Sequence, residues 1–255
     1  MANSESGESM VERVVRILGA FDRGHTDLSA SEVARRAGLP MSSAHRIVGD
    51  LLRTGLLERD LEGRVRIGMR LWELTTRGSR ALALRQAALP AMEAAQAAIG
   101  EHVQLCVLDQ GAVLILEQLS AHDAVSNATA VARRLPLHAS SSGQVLLAFG
   151  RKSVRDRVLA GPLPAVGPAT ITDPVALGRR LEAVRRDGVA ILAGSIESVA
   201  TGISVPVTDR AGTTVAALSA VVPTGWTRQG ETVTALQRAA QAVGEAIADY
   251  GILSH

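Results

Sequence analysis

Residues 29–55 carry the pattern of two short helices joined by a tight turn, and this pattern restricts the possible folds more than any other segment. Ser29 and Glu32 form an S-x-x-E sequence, in which the serine caps the exposed amides of a helix start and the glutamate bonds back to the serine backbone. This capping box predicts a helix over residues 30–37, which Gly38 ends. The segment therefore opens a small helical unit.

A longer helix follows the turn, opened by Leu39-Pro40 and ended at Gly55. Its apolar residues recur at helical spacing and predict a buried face, formed by Ala44, Ile47, Val48, Leu51 and Leu52. Upstream, residues 10–21 predict a first amphipathic helix, whose inward positions are Met10, Val14, Ile17, Leu18 and Phe21. Three helices in this order are typical of a helix-turn-helix domain.

Two short strand-like runs, residues 56–59 and 64–67, surround a turn that contains Gly63. This spacing predicts a β-hairpin. Three helices followed by a hairpin make a winged helix-turn-helix. The helices are also compatible with a small all-helical bundle that packs on another part of the protein, and the turn spacing alone does not separate the two interpretations.

The outward face of the third predicted helix favours the DNA-binding interpretation. Before Asp50 it holds no acid, only hydroxyl and basic side chains, namely Ser42, Ser43, His45 and Arg46. Such a helix fits the major groove, where Arg46 can bind guanine or phosphate. Arg64 and Arg66 alternate along the predicted wing and are expected to contact the DNA backbone or the minor groove. The net charge of +2 does not indicate whether the protein binds nucleic acid. Locally, however, residues 31–70 hold eight arginines against five acids.

The remaining chain predicts an α+β domain behind a helical connection. Residues 69–99 are rich in Ala and Leu and predict helix, interrupted at Gly78 and Pro90. From His102 onwards, strand-like runs alternate with amphipathic helices, which favours a central sheet flanked by helices. The expected division is a DNA-binding domain over 1–70, a linker helix region over 71–99 and a larger domain over 100–255.

Composition argues against several classes of protein. The single cysteine, Cys106, cannot close an internal disulfide, which favours a reducing compartment. No apolar stretch reaches the roughly 18 residues of a membrane span, and the polar start MANSESGESM carries no secretion signal. We therefore expect a soluble cytoplasmic protein. The histidines show no HxxxH or HExxH spacing, so neither a metal nor another cofactor is expected.

The serines at 140–142 allow two interpretations besides simple helix capping. His138 lies near them in sequence, but no G-x-S-x-G motif is present, so we predict no catalytic residue and a structural His138. The same serines precede an apolar helical run, Val145–Ala148. A helix start offers free N–H groups and a partial positive charge, so a small carboxylate can bind there without a basic side chain.

Three motifs resemble the IclR family of bacterial transcriptional regulators. The run SASEVARRAGLPMSSAHRIVGDLLRTGLLERD resembles the family's helix-turn-helix, and RRLPLHASSSGQVLLA resembles its LPLHATASGKALLA segment. PVTDRAGTTVAALSAVVP resembles the family's final hairpin. The resemblance covers nearly the whole chain. It implies a DNA-binding domain, a linker helix and an effector-binding domain with a GAF-like sheet, assembled as a homodimer or a dimer of dimers.

The resemblance also implies an effector site. The family's effector-contact loop corresponds to Ser141, Ser142 and Gly143, and we expect the backbone amides of Ser141 and Ser142 to bind the acid. Wall residues are expected at Val131, Leu135, Ala200, Gly202 and Ser204. Two departures from the family pattern predict a less polar pocket: Gln144 replaces the usual lysine, and Leu192–Glu197 replaces an acidic cluster.

These features together predict a DNA-binding transcriptional regulator, a repressor rather than an activator. Its affinity for double-stranded palindromic operator DNA is expected to change when a small organic acid binds the larger domain. The alternative is a small-molecule-binding or hydrolytic domain whose helical N-terminal part serves only for association. Replacement of Arg46 by alanine separates the two, because only the first interpretation requires Arg46 for operator binding.

Overall fold

The structure, a computed structural model, describes residues 8–22, 24–121 and 131–249. The chain divides into two compact units, Met1–Ser79 and Arg80–His255. This boundary lies inside the predicted linker region, so the first helix of that region belongs to the N-terminal unit and the second to the C-terminal unit. Among the described residues, no helix is both long and apolar enough to cross a membrane.

The N-terminal unit is a helix-turn-helix followed by a two-stranded wing and one more helix. Its described elements are α1 (Met10–Leu18), α2 (Ala30–Ala37), α3 (Met41–Arg53), β1 (Leu57–Arg59), β2 (Val65–Ile67) and α4 (Met69–Thr76). The predicted winged helix-turn-helix is confirmed. The first helix ends at Leu18, earlier than the predicted 10–21, because Gly19 disfavours helix continuation. Phe21 nevertheless packs against the unit's core.

One apolar cluster holds this unit together. Ile17, Val33 and Ile47 bring the three helices into contact and are essentially inaccessible to solvent. Leu28 and Val65 exchange both backbone hydrogen bonds, 2.9 and 2.7 Å, and so attach the wing to the helical body. The positions predicted to face inward on α3 are buried or half-buried, which leaves the opposite face of that helix to solvent.

The C-terminal unit is built around one antiparallel sheet. Its described elements are α5 (Arg80–Ile99), β3 (His102–Asp109), β4 (Ala112–Leu119), β5 (Arg134–Leu135), α6 (Ser141–Phe149), α7 (Lys152–Ala160), α8 (Pro174–Asp187), β6 (Ala190–Ala193), β7 (Ala200–Thr208), β8 (Thr214–Pro223) and α9 (Gln229–Asp249). The strands lie in the order β5-β4-β3-β8-β7-β6, and the helices cover them, which confirms the α+β class.

The two faces of the sheet have different partners. On one face, Leu105, Ile203 and Leu218 pack against α5 and α9. On the other face, α6 and α8 cover Ile115 and Ala217 together with part of β6. The rest of this second face is lined by polar and small side chains, and it forms one wall of the cavity described below.

The predicted interruption at Pro90 is wrong, because α5 runs through this residue. Proline removes one backbone hydrogen bond and strains the preceding turn, which usually kinks or breaks a helix. Here the helix buries Ala88, Met92 and Ala95 against the sheet and α9. Apolar burial on both sides of the proline offsets the missing hydrogen bond.

Candidate functional site

The outward face of α3 is the first candidate site. Ser42, His45 and Arg46 are exposed, and Ser43 is half-buried. Within the described part of the chain, neither His45 nor Arg46 has a hydrogen-bond or ion-pair partner. Several other arginines of this unit are engaged, whereas Arg46 is not: Arg53, for example, pairs with Asp50 at 3.0 Å. Arg46 is therefore available to an external acceptor.

The N-terminus of α3 is open as well. Pro40 occupies the N-cap position and provides no side-chain hydrogen bond, and the first turn holds no acid. The first amides of a helix have no intrahelical acceptor and carry a partial positive charge. The amides of Ser42 and Ser43 can accordingly bind a phosphate beside the groove that Arg46 would enter.

The wing arginines differ from Arg46, since both have partners in the protein. The Arg64 guanidinium donates to the Asp27 carbonyl at 2.6 Å and lies 3.6 Å from Glu32. Arg66 donates to Glu58 at 2.7 Å, directly across the hairpin. These bonds hold the wing against α2 and hold its two strands together, so both arginines have a structural role besides any contact with DNA.

The second candidate site is a cavity in the C-terminal unit between α6, the end of β6 and the polar face of the sheet. The empty space within it and its mouth, open solvent included, is about 500 Å³. Polar lining residues are Gln104, Ser140, Ser141, Ser142, Ser195, Glu197 and Ser219. Apolar or small ones are Leu135, Ala139, Leu192, Ile196, Ala200, Gly202 and Val221.

The start of α6 forms one end of this cavity. Ser140 is the N-cap, and its hydroxyl accepts the Gly143 N–H at 3.1 Å, so the capping interpretation holds for that amide. The N–H groups of Ser141 and Ser142 have no acceptor among the described residues. Because both residues line the cavity, two free amides at the positive end of a helix lie at its wall. This arrangement can bind a carboxylate.

A hydrogen-bonded row of side chains supports this end of the cavity. Ser204 donates to the Ser141 hydroxyl at 2.7 Å and lies 2.6 Å from the Ser219 hydroxyl. Farther along the same face, the Gln104 amide donates to Gln118 at 3.0 Å. Ser204, Ser219, Gln104 and Gln118 occupy paired positions on four neighbouring strands. The row fixes the serine hydroxyls without using the free amides of α6.

A β-bulge between Leu105 and Cys106 places Gln118 in this row. Side chains alternate between faces along a strand, and one extra residue reverses the alternation. Ile115 therefore points into the core beneath α6, while Gln118 shares the cavity face with Gln104. Glu117, on the opposite face, pairs instead with Arg85 of α5.

The structure separates the predicted effector residues into two groups. Leu135, Ser141, Ser142, Ala200 and Gly202 line the cavity together. Three others do not, namely Gly143, whose amide is capped, Ser204, which supports Ser141 from behind, and Val131, which lies in the turn before β5. A side chain at position 202 would collide with Ser141, since an added Cβ would lie 2.5 Å from its hydroxyl oxygen.

Sequence reasoning missed the far wall of the cavity, which includes Ser195 and Glu197. Both lie in the segment noted as departing from the family pattern. The missed strand residues Gln104, Ser219 and Val221 share one face through the register of β3 and β8. Two polar residues in otherwise apolar strands, Gln104 and Ser219, are the sequence signal that indicates this wall.

Gln144 and His138 are both structural. Gln144 is fully buried, donates to the His138 carbonyl at 2.9 Å and lies outside the cavity lining. The His138 Nε2 lies 2.9 Å from the Pro164 carbonyl and, because a carbonyl can only accept, carries the proton. A histidine held in this way is not positioned as a base for the neighbouring serines.

Comparison with known proteins decides the family. Residues 79–248 match the bacterial transcriptional regulator IclR C-terminal domain, and residues 10–61 match the IclR helix-turn-helix domain. The chain belongs to the IclR family. It is thus a DNA-binding transcriptional regulator, like its homologues, and residues 10–61, which include α3, form its helix-turn-helix domain.

Several IclR relatives cover most of the chain. An IclR homologue from Microbacterium hydrocarbonoxydans, crystallised with 4-hydroxybenzoate, is 51% identical, covers 94% of this chain and 100% of its own, and superposes with a TM-score of 0.88. The regulator KipR of Bacillus subtilis is 29% identical over 71% of this chain and 72% of its own. XynR of Escherichia coli is 28% identical over 82% of this chain and 84% of its own.

Proposed function

We propose that this IclR protein is a repressor whose affinity for palindromic operator DNA falls when a small carboxylic acid binds the cavity at α6. The observation that carries the proposal is the pair of free amides of Ser141 and Ser142 at the wall of this cavity. The 51% identical relative crystallised with 4-hydroxybenzoate supports a carboxylate as the ligand class.

On the DNA side, α3 enters the major groove and Arg46 reads a base or clamps a phosphate. Its guanidinium has no partner within the described chain, so binding DNA breaks no existing ion pair. Ser42, Ser43 and His45 contact neighbouring bases or phosphates. Arg64 and Arg66 contribute weaker backbone contacts, because they would have to share their guanidinium groups with Asp27 and Glu58.

The two functions are coupled through assembly. A homodimer, or a dimer of dimers, presents paired α3 helices to half-sites that follow the helical repeat of DNA. An effector changes DNA affinity only if it binds one arrangement of the paired α3 helices more tightly than another. Carboxylate binding at α6 favours the arrangement that fits the operator less well, which relieves repression.

The DNA part of the proposal is tested by Arg46→Ala, with a duplex from the region upstream of the protein's own gene as the probe. Loss of one specific arginine contact costs about 1–3 kcal/mol, so fluorescence anisotropy should show roughly 5- to 150-fold weaker binding. Arg186→Ala is the matched control, since it removes an exposed arginine of α8 that pairs with the adjacent Asp187 in the described part of the chain.

Equal binding of the wild-type protein to the upstream duplex and to a random duplex would contradict the proposal. So would an Arg46→Ala variant that binds the upstream duplex as tightly as Arg186→Ala does.

A further inference from the structure

The far wall of the effector cavity holds a hydroxyl group without a partner. Ser195 is only 3% exposed, lines the cavity and has no hydrogen-bond partner for its Oγ among the described residues. Buried polar groups in native proteins are nearly always hydrogen-bonded, because an unpaired one loses its bonds to water without replacement. A buried hydroxyl in a cavity wall is therefore positioned to receive a bond from a ligand.

The backbone around Ser195 is held in place by hydrogen bonds from a neighbouring segment. The Thr170 hydroxyl donates to the Ser195 carbonyl at 2.6 Å, and the Ala169 amide donates to the Gly194 carbonyl at 3.1 Å. Gly167 approaches the same segment so closely that an added Cβ would lie 2.8 Å from the Ser195 carbonyl oxygen. The segment 166–170 thus fixes the backbone that carries the orphan hydroxyl.

The start of α6 determines which part of an acid lies at this wall. The free amides of Ser141 and Ser142 attract a carboxylate, and Ser195 belongs to the segment after β6 that lines the cavity. An effector acid therefore places its carboxylate at α6 and directs its opposite end towards Ser195. The wall residues with apolar or small side chains include Leu135, Leu192 and Ile196, which suit an apolar body.

We propose that Ser195 hydrogen-bonds a hydroxyl group on the effector, so that the cavity selects hydroxylated carboxylic acids over the unsubstituted acids. This inference rests on the proposed effector site and adds a specificity-determining residue to it. A hydroxyl on the effector gives the Ser195 hydroxyl the hydrogen-bond partner that the protein does not provide. An acid without that hydroxyl leaves Ser195 without a partner. Sites that hydrogen-bond a ligand hydroxyl discriminate against analogues that lack it for this reason.

Calorimetric titration with 4-hydroxybenzoate, benzoate and 4-methylbenzoate tests the role of Ser195. The wild-type protein should bind 4-hydroxybenzoate roughly tenfold more tightly than either other acid, the ratio expected for one hydrogen bond. Ser195→Ala should bind all three acids with similar Kd and should retain the benzoate affinity of the wild type. Ser198→Ala, a change at an exposed serine of the same segment, should keep the tenfold preference.

Three results would overturn the inference. The first is equal binding of the three acids by the wild-type protein, and the second is an undiminished hydroxyl preference in Ser195→Ala. The third is an equal loss of affinity for all three acids in Ser195→Ala, which would show that the residue only maintains the shape of the cavity wall. In the first two cases the effector site itself stands, because acids still bind. Absence of binding by any acid to the wild type would instead overturn the effector site together with this inference.

Discussion

Single residues set the chemistry of this IclR cavity, and Cys106 shows how closely the protein packs beneath it. The thiol is fully buried between α6 and the sheet, where the Ser142 and Ser219 side chains hydrogen-bond its sulfur. Burial disfavours the charged thiolate and raises the pKa of Cys106 to about 12, although the two serine hydrogen bonds act in the opposite direction. The residue is thus part of the packing under the lining serines.

Cys106 should resist thiol reagents in the folded protein. With a pKa of about 12, roughly one thiol in ten thousand is ionised at pH 8, against about a quarter for an exposed cysteine. Reaction with Ellman's reagent should be slow at pH 8, slower still as the pH falls, and complete within minutes in urea. A native protein that reacts at the rate of the urea-unfolded chain would show that the thiol is exposed and the packing of this region is wrong.

At the scale of elements, the start of α6 is the feature on which the proposed effector site depends. Its first two amides remain free, and its third is capped by Ser140. Proline is accepted at the first position of a helix, and it requires an extended residue before it. Ser140 already has this conformation, with φ −99° and ψ 146°. Position 141 therefore allows one amide to be removed without breaking the helix.

Ser141→Pro should weaken binding of 4-hydroxybenzoate roughly tenfold or more, since it removes one N–H donor from a charge-assisted hydrogen bond. Ser141→Ala is the matched control, because it loses the hydroxyl contact with Ser204 and keeps the N–H. Calorimetry should show a clearly weaker affinity for 4-hydroxybenzoate in Ser141→Pro than in Ser141→Ala, and circular dichroism melts should show that both variants are folded. Equal affinity in the two variants would mean that the amide does not bind the acid.

The order of the elements could be predicted from local patterns in the sequence. The capping box at Ser29 and the turns at Gly38 and 209–212 are local sequence patterns. The structure has a helix between Ser29 and Gly38 and a hairpin around 209–212, as those patterns predict. The course of α5 could not be predicted in the same way, because tertiary packing overrides the local effect of Pro90.

The proposed effector site was only partly predictable for a similar reason. Ser141 and Ser142 belong to a recognisable motif, whereas Ser195 and Glu197 reach the cavity through the fold of the segment that follows β6. Gln118 reaches the cavity face through a bulge that strand alternation does not reveal. Such positions depend on strand register and long-range contacts, which no local sequence pattern encodes.

At the scale of the whole molecule, the central claim is that occupation of a cavity in one unit changes the DNA affinity of the other. Allosteric coupling in proteins is typically 1–3 kcal/mol, or about 5- to 150-fold in affinity. Coupling of this size needs no new contact with DNA, only a different preference of the acid for the DNA-bound and free arrangements. DNA affinity and acid affinity must then change reciprocally.

The most direct test is the Kd of the wild-type protein for its upstream duplex, measured with and without 4-hydroxybenzoate at a concentration that calorimetry shows to fill the cavity. Salt and protein concentration are held constant, because both change the apparent affinity for DNA. We predict that the acid weakens binding at least fivefold and leaves the weak binding to random duplex unchanged. An upstream Kd that stays the same while the cavity is filled would contradict the account.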